Sequence, residues 1–298
     1  MNRRGGERRL LCSMASDVSE RVVSALLVGP GDDLESLLPD DVPRDVDRAE
    51  SAAAAIVRLA AKRYDVVLID HTVEGEVTEE QIAYVRAAQA ARPGSKFILL
   101  VSCTTPRKVI EALRHGMFAY FTRPFEPSSV RYAILQALSL PPWSDGVEVL
   151  SAAPDFLSVR LRCSMDTVDR LAQFMNELPC GLSDKEKGEL SMALSELLVN
   201  AIEHGGKLDP NEWVRVSRVR TKRTIVYHIH DPGEGFSRLD LKHAAISNPP
   251  DKPTAHMEIR MAEDMRPGGF GMLIATQLAD EVIYNEKGNE VILIKHLE

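Results

Sequence analysis

Glu196, Asn200 and His204 stand four residues apart in the run Ser195 to His204 (SELLVNAIEH). That spacing stacks them along one face of a helix whose other positions, Leu197, Leu198, Ala201 and Ile202, are apolar. A carboxylate one turn from an amide oxygen suits a hard cation with a general base beside it, because Mg2+ takes a few oxygen ligands and keeps some waters. A second run, Asp231-Pro232-Gly233-Glu234-Gly235-Phe236, follows an alternating strand. At a strand end Asp231 can accept a hydrogen bond from the exocyclic amine of adenine, while Gly233 and Gly235 let the backbone approach a nucleotide. A third run, Arg266-Pro267-Gly268-Gly269-Phe270-Gly271-Met272, opens an apolar helix. Its exposed amides and the positive end of the helix dipole can cradle phosphates. Each run alone has a plainer reading: a polar stripe on an amphipathic helix, an Asp-Pro-Gly turn, a flexible loop entering a helix.

The elements that must position these runs come next. The pattern predicts a strand from Phe156 to Cys163, a helix from Met165 to Leu178 and a long helix from Ser183 to His204. Strands Trp213 to Arg220 and Thr224 to His230 follow, then a long irregular segment to Pro267. A helix from Phe270 to Ala279 and a hairpin, Glu281 to Asn285 and Glu290 to His296, turning at Lys287-Gly288-Asn289, complete the half. Strands paired with strands and helices grouped apart predict an α+β sandwich. The Pro-, charge- and Met-rich segment between the second and third runs has the length of a functional lid.

The first half has a different grammar. Ala25 to Val28, Val66 to Ile69, Lys96 to Val101 and Phe118 to Phe121 are short apolar runs of strand type, with Arg44 to Asp47 as a short second strand. Between them Ala49 to Lys62, Thr78 to Ala91, Pro106 to His115 and Pro127 to Leu138 carry helical spacing. Such alternation predicts an α/β domain, a doubly wound parallel sheet covered by helices on both faces. Leu140 to Pro154 breaks both periodicities with a Pro pair, a Gly and a further Pro. The expected organisation is therefore a disordered tail over 1–21, a first domain over 22–139, a linker over 140–154 and a second domain over 155–298.

Composition bounds the function. The 298 residues carry 36 basic and 44 acidic side chains, a net charge of −8, which excludes a general positive field for nucleic acid. No apolar run approaches the roughly eighteen residues that cross a bilayer, so no membrane partner is expected. The four cysteines, Cys12, Cys103, Cys163 and Cys180, form no Cys-x-x-Cys pair, and idle thiols in a reducing cytoplasm are the expected reading. The opening stretch has four arginines but no secretory signal, and either Met1 or Met14 would serve as the start.

The three runs, in this order on a helix, a strand end and a helix start, resemble the GHKL (Bergerat-fold) ATPases, and within them the serine/threonine kinases that act as anti-sigma regulatory factors. The resemblance spans about Ser151 to Glu298, and the closing segment with Asp280, Gly288, Asn289 and Lys295 is similar to that branch as well. It implies ATP and Mg2+ as cofactors, with Asn200 as the metal ligand, Asp231 reading adenine and Gly268, Gly269, Phe270 and Gly271 around the phosphates. It implies Glu196 as the base for an incoming hydroxyl and Arg266 as a charge neutraliser at the γ-phosphoryl group. The acceptor it implies is a Ser or Thr of an anti-anti-sigma (STAS) protein, with a sigma factor as competing partner. Two other readings stand beside it: an ATP-gated binding protein without kinase activity, and a histidine kinase. The latter needs an acceptor His on a helical hairpin, and among eight histidines the only His-acid pair, His230-Asp231, lies inside the nucleotide run.

In the first half, Asp70 follows one strand, Ser102 ends another and Arg123-Pro124 follows a third, all at carboxyl ends, where such sheets bind ligands. This order resembles the receiver domain of response regulators, a flavodoxin-like fold with a phospho-accepting Asp, a hydroxyl residue and Lys-Pro. Two positions depart from that pattern. Gly29-Pro30 replaces the acidic pair after the first strand, with Asp32 and Asp33 displaced beyond it, and Arg123 replaces Lys. Weaker Mg2+ binding and a guanidinium in place of an ammonium disfavour phosphoryl transfer to Asp70. A degenerate receiver serving as a binding or dimerisation module is the preferred reading, and a phosphorylatable switch the alternative.

Overall fold

The computed structural model describes residues 22–29, 32–40, 42–71, 87, 94–140, 146–236, 244–249, 251–262 and 269–297. The tail 1–21, most of the helix expected from Thr78 to Ala91, and Arg266 and Gly268 lie outside them. The chain divides into two compact units, Met1–Asp145 and Gly146–Glu298.

The first unit has strands β1 (Val23–Val28), β2 (Arg44–Ala49), β3 (Val66–His71), β4 (Lys96–Val101) and β5 (Ala119–Thr122), paired in parallel in the order β2-β1-β3-β4-β5. This is the doubly wound order of flavodoxin-like folds. Every residue of β4 is buried, and only His71 of β3 is not. Each carries a continuous apolar stretch, Val66 to Ile69 and Phe97 to Val101, as strands buried on both faces do. The described helices are α1 (Ala52–Ala61), α2 (Pro106–Arg114) and α3 (Pro127–Ser139). Val130, Ala133, Ile134 and Ala137 of α3 join Leu27, Leu68, Ile98 and Leu100 in one core. Ser51 and Thr105 cap α1 and α2 with side-chain oxygens. The edge strand β2 carries charges, and Lys62 binds both Asp45 and Asp47, at 2.7 and 3.0 Å, which blunts the edge against pairing. A short 3-10 turn, Asp32–Leu37, stands where a first crossover helix belongs.

The second unit is a six-stranded antiparallel sheet, β10-β11-β9-β8-β7-β6, formed by β6 (Val147–Ala153), β7 (Phe156–Arg162), β8 (Trp213–Arg220), β9 (Thr224–His230), β10 (Glu281–Tyr284) and β11 (Glu290–His296). Four helices accompany it: α4 (Asp166–Glu177), α5 (Asp184–Asn200), α6 (Ala255–Ala262) and α7 (Gly271–Leu278). Helix α5 packs between α4 and α7 and rests on β9 and β11. Its buried Leu194, Leu197 and Leu198 share the interior with Val216, Ile229, Val291 and Leu293. A reciprocal Ser183–Glu186 capping box starts α5, so the helix that carries the polar stripe has a fixed origin.

Four expectations need correction. Strand β6 occupies much of the stretch expected as linker over 140–154, paired with β7 through the two-residue turn Pro154-Asp155. The alternation in Val147–Ala153 is interrupted by an irregularity between Val149 and Ser151, which hides the period-2 signal. Helix α6 lies within the segment expected to be irregular. The long helix does not run unbroken to His204: the α-helical part ends at Asn200, and Ala201–Gly205 form a π turn. There Gly206 N–H donates to Ala201 C=O, five residues back, at 2.8 Å. The final hairpin turns through residues 285–289, longer than the three-residue turn expected.

Candidate functional site

All three polar runs reach one cavity of about 860 Å³ in the second unit, within the range of small-molecule sites. Glu196, Asn200 and His204 line it from α5 and the π turn. Asp231, Gly233 and Gly235 line it from the end of β9, and Gly269, Phe270 and Gly271 from the entrance of α7. Arg266 and Gly268, also expected here, are outside the described residues.

Close approaches that only glycine permits hold these elements together. A Cβ on Gly271 would stand 2.6 Å from Glu196 Oε2 and 3.4 Å from Asn200 Nδ2, so the start of α7 lies directly on the polar stripe of α5. No side chain caps α7, so its first-turn N–H groups are unclaimed by any capping side chain beside Glu196 and Asn200. Gly205, at the end of the π turn, touches the Asp231 carboxyl where a Cβ would overlap it, and Gly206 does the same with the buried Cys163 sulfur. The π turn thus brings the end of α5 against the end of β9. Such turns recur at functional sites. Neither glycine of the pair was singled out from sequence, although two successive glycines after a helix carry that signal.

The electrostatics are those of a partly desolvated polar pocket. Burial pushes the Glu196 carboxyl above the usual glutamate range, which brings a potential base nearer to neutral pH. Burial raises Asp231 as well, against the opposing Gly233 N–H and the charges of His230 and Lys287. One Asp231 oxygen, Oδ1, accepts from Gly233 N–H at 2.8 Å. His204, at the rim, is held below the ordinary histidine value by desolvation and then by Arg260. Arg260, on α6, is itself a buried residue of the cavity wall. The sequence reading looked for the lid cation at Arg266 and passed over Arg260.

The residues fit a nucleotide with its metal. Asn200 Nδ2 is buried and has no hydrogen-bond partner, an orphan that a phosphate oxygen would satisfy, or a cation if the amide presents its oxygen instead. Among the described residues no group of three His, Cys, Asp or Glu side chains could chelate a metal alone. Asn200, with phosphate oxygens of the nucleotide, would hold magnesium, which takes a few oxygen ligands and keeps some waters.

Residues 161–295 match the model of the histidine kinase-like ATPase domain. The anti-sigma F factor of Anoxybacillus flavithermus is 30% identical over 115 residues, 38% of this chain and 70% of that protein. The chain belongs to the histidine kinase-like ATPase family. Within this ATPase family it is also similar to the serine-protein kinase RsbW of Oceanobacillus iheyensis, 26% identical over 118 residues, 39% of this chain and 70% of the relative. Solved receiver domains are similar to the chain as well. One is a CheY-like protein of Methanospirillum hungatei, with 19% identity, 40% of this chain, 94% of that chain and a TM-score of 0.35. Another is a response regulator of Thermotoga maritima, with 19% identity, 40% of this chain, all of that chain and a TM-score of 0.36. The first unit has the strand order 2-1-3-4-5, and no helix among the described residues is long and apolar enough to cross a membrane.

In the first unit Asp70 is the penultimate residue of β3, with its side chain 2% exposed, and Arg123 Nη2 lies 3.2 Å from its Oδ2 and 3.7 Å from Asp33 Oδ2. The Arg123 guanidinium also stacks over Phe125 at 4.9 Å. Ser102 is exposed after β4. Gly29 has φ +129°, and a Cβ there would stand 2.7 Å from the Asp70 carbonyl oxygen. An acidic residue on this backbone conformation at position 29 would be strained and crowded.

Proposed function

We propose that the chain is an ATP-dependent serine/threonine protein kinase of the anti-sigma regulatory type, which transfers the γ-phosphoryl group of ATP to a Ser or Thr of an anti-anti-sigma (STAS) partner under the influence of its receiver-like unit. The reading rests on one observation above all: a desolvated carboxylate, Glu196, sits one turn from Asn200 against the uncapped start of α7, in the same cavity as Asp231. Simple nucleotide binding has no use for a raised-pKa carboxylate at the phosphate end, whereas transfer to a hydroxyl does. Magnesium, when bound, would shield the phosphate charges. Asp231 orients the base, the Gly269 to Gly271 amides hold the phosphates, and Glu196 accepts the hydroxyl proton of the incoming Ser or Thr. A sigma factor would compete for the same chain as a second protein partner, and a homodimer is compatible with this proposal.

Labelled ATP incubated with the chain and candidate STAS proteins of the same genome tests this. Label on a Ser or Thr of one of them is the expected result. ATP binding with no transfer to any of them would leave an ATP-gated binding protein instead. Arg260, a buried cation of the cavity wall, serves the phosphates alongside Arg266 in this proposal. Arg260→Gln is therefore expected to weaken MgATP binding about 10- to 100-fold, the worth of a charged hydrogen bond, read by calorimetry against an unchanged Tm.

The receiver-like unit acts in this proposal as a binding or dimerisation module. Asp70 is buried against Arg123, so its carboxylate is already paired and poorly placed for attack on a phosphodonor. Incubation with a small acyl phosphate and Mg2+ is expected to leave Asp70 unmodified by mass analysis. A stable adduct there would make the unit a phosphorylatable switch.

A further inference from the structure

The loop that carries Asp231 is held by the hairpin turn 285–289. Asp231 N–H donates to Asn289 C=O at 3.0 Å, and Asn289 Nδ2 reaches the Asp231 carbonyl at 3.4 Å. Lys287 Nζ donates to Gly233 C=O at 3.1 Å, and Phe236 N–H donates to Lys287 C=O at 3.1 Å. The glycine-bearing loop is therefore gripped at its start, middle and end. Asn285 organises the grip. Its Oδ1 accepts from the N–H groups of Gly288, Asn289 and Glu290 at 2.7, 3.1 and 3.2 Å, and its Nδ2 donates to Asn289 Oδ1 at 3.0 Å. That last bond fixes the amide of Asn289, which is 6% exposed, so that its Nδ2 end points to Asp231. Gly235 and Gly288, both at φ +83°, pack so closely that added Cβ atoms would overlap Lys287 C=O and Phe236 C=O.

The Gly233 N–H fixes one Asp231 oxygen within the Asp-Pro-Gly turn, but by itself such a turn leaves the backbone that carries the carboxylate free to shift. Two loops bonded to each other along their length do not, and a fixed acceptor is what base discrimination requires. We infer that Asn289, held by Asn285, is a positioning residue that aims Asp231 and thereby sets the preference for adenine over guanine. The inference rests on the nucleotide reading of the cavity and goes beyond it, since it places base selectivity in a turn outside the three polar runs.

The test is calorimetric titration of wild type, Asn289→Ala and Asn285→Ala with MgATP, MgGTP and magnesium tripolyphosphate, with Tm recorded for each. Asn285 is exposed, so its variant keeps the fold even where Asn289→Ala does not. The expected result is an ATP affinity lowered about 2- to 10-fold, the worth of one or two hydrogen bonds. The ATP-over-GTP preference falls by a similar factor, and tripolyphosphate binding stays unchanged. An unaltered ATP-to-GTP ratio, or tripolyphosphate binding that falls in parallel with ATP, overturns the inference. A wild-type protein with no preference for ATP over GTP would instead strike at the role of Asp231 itself.

Discussion

Glu196→Gln is expected to slow phosphoryl transfer to the protein substrate by about 10²- to 10⁴-fold, the usual contribution of a general base, while MgATP affinity stays within a few-fold. Gln keeps the shape of Glu, so the close contact with Gly271 survives and only the proton acceptor is lost. The pH profile carries the second half of the prediction. A base must be deprotonated to act, so wild-type activity falls as pH drops through the Glu196 pKa, which burial has raised above the ordinary glutamate value. The variant loses that acidic limb. Stability moves the other way. Because the raised pKa marks a carboxylate that is costlier to ionise in the folded protein than in the unfolded chain, Glu196 costs stability at neutral pH, and that cost vanishes once pH is below the unfolded value. Glu196→Gln should therefore have a higher Tm than wild type at pH 7 and an equal one in acid, at about 2–4 °C per kcal/mol regained for a protein of this size. Transfer at the wild-type rate in the variant would remove Glu196 from the role of base.

What the sequence reveals about this molecule depends on whether a signal is local. The parallel strands β3 and β4 are built on continuous apolar stretches, Val66 to Ile69 and Phe97 to Val101, and the Ser183–Glu186 cap is a four-residue pattern, so both are readable without coordinates. Helix α6 is not, because its amphipathic sense is inverted. His256 and Arg260 face inward while Met257 and Met261 are 40% and 81% exposed, the opposite of what a hydrophobic period looks for. The Asn248 amide helps to make this possible by accepting from His256 N–H at 2.8 Å and pairing with His256 Nδ1 at 2.7 Å, and the His256 ring stands edge-on to Phe270 at 4.6 Å. Those partners lie outside α6 itself, so the periodicity of the helix does not show them. The same holds for the polar stripe. Spacing placed Glu196, Asn200 and His204 on one face, but the π turn after Asn200 follows from contacts of Gly205 with Asp231 and of Gly206 with Cys163, which only the packed fold brings together. In the receiver-like unit, Asp70 and Arg123 were readable as residue types at strand ends, and their pairing was not.

Asp231→Asn is expected to lower MgATP affinity by about 10²-fold or more, because a site built around a hydrogen bond to its ligand rejects strongly when that bond cannot form. The geometry says why so small a change should matter. Gly233 N–H already claims Oδ1 at 2.8 Å. The single oxygen of an Asn at this position stays with that N–H, since turning it away would strip the loop of the bond that shapes it, and the NH2 end is then presented to the base. A donor would face the amine of adenine, where the Asp carboxylate had offered an acceptor. Tm at pH 7 should not fall, and by the sign argument applied to Glu196 it should rise, because burial also raises the Asp231 pKa. Lost affinity in a protein of undiminished stability separates recognition from unfolding. Guanine supplies the decisive contrast: its O6 is an acceptor, so the new NH2 can bond to it, and the ratio of ATP to GTP affinity should move toward GTP. Equal losses for both nucleotides would mean that Asp231 supports the pocket without reading the base.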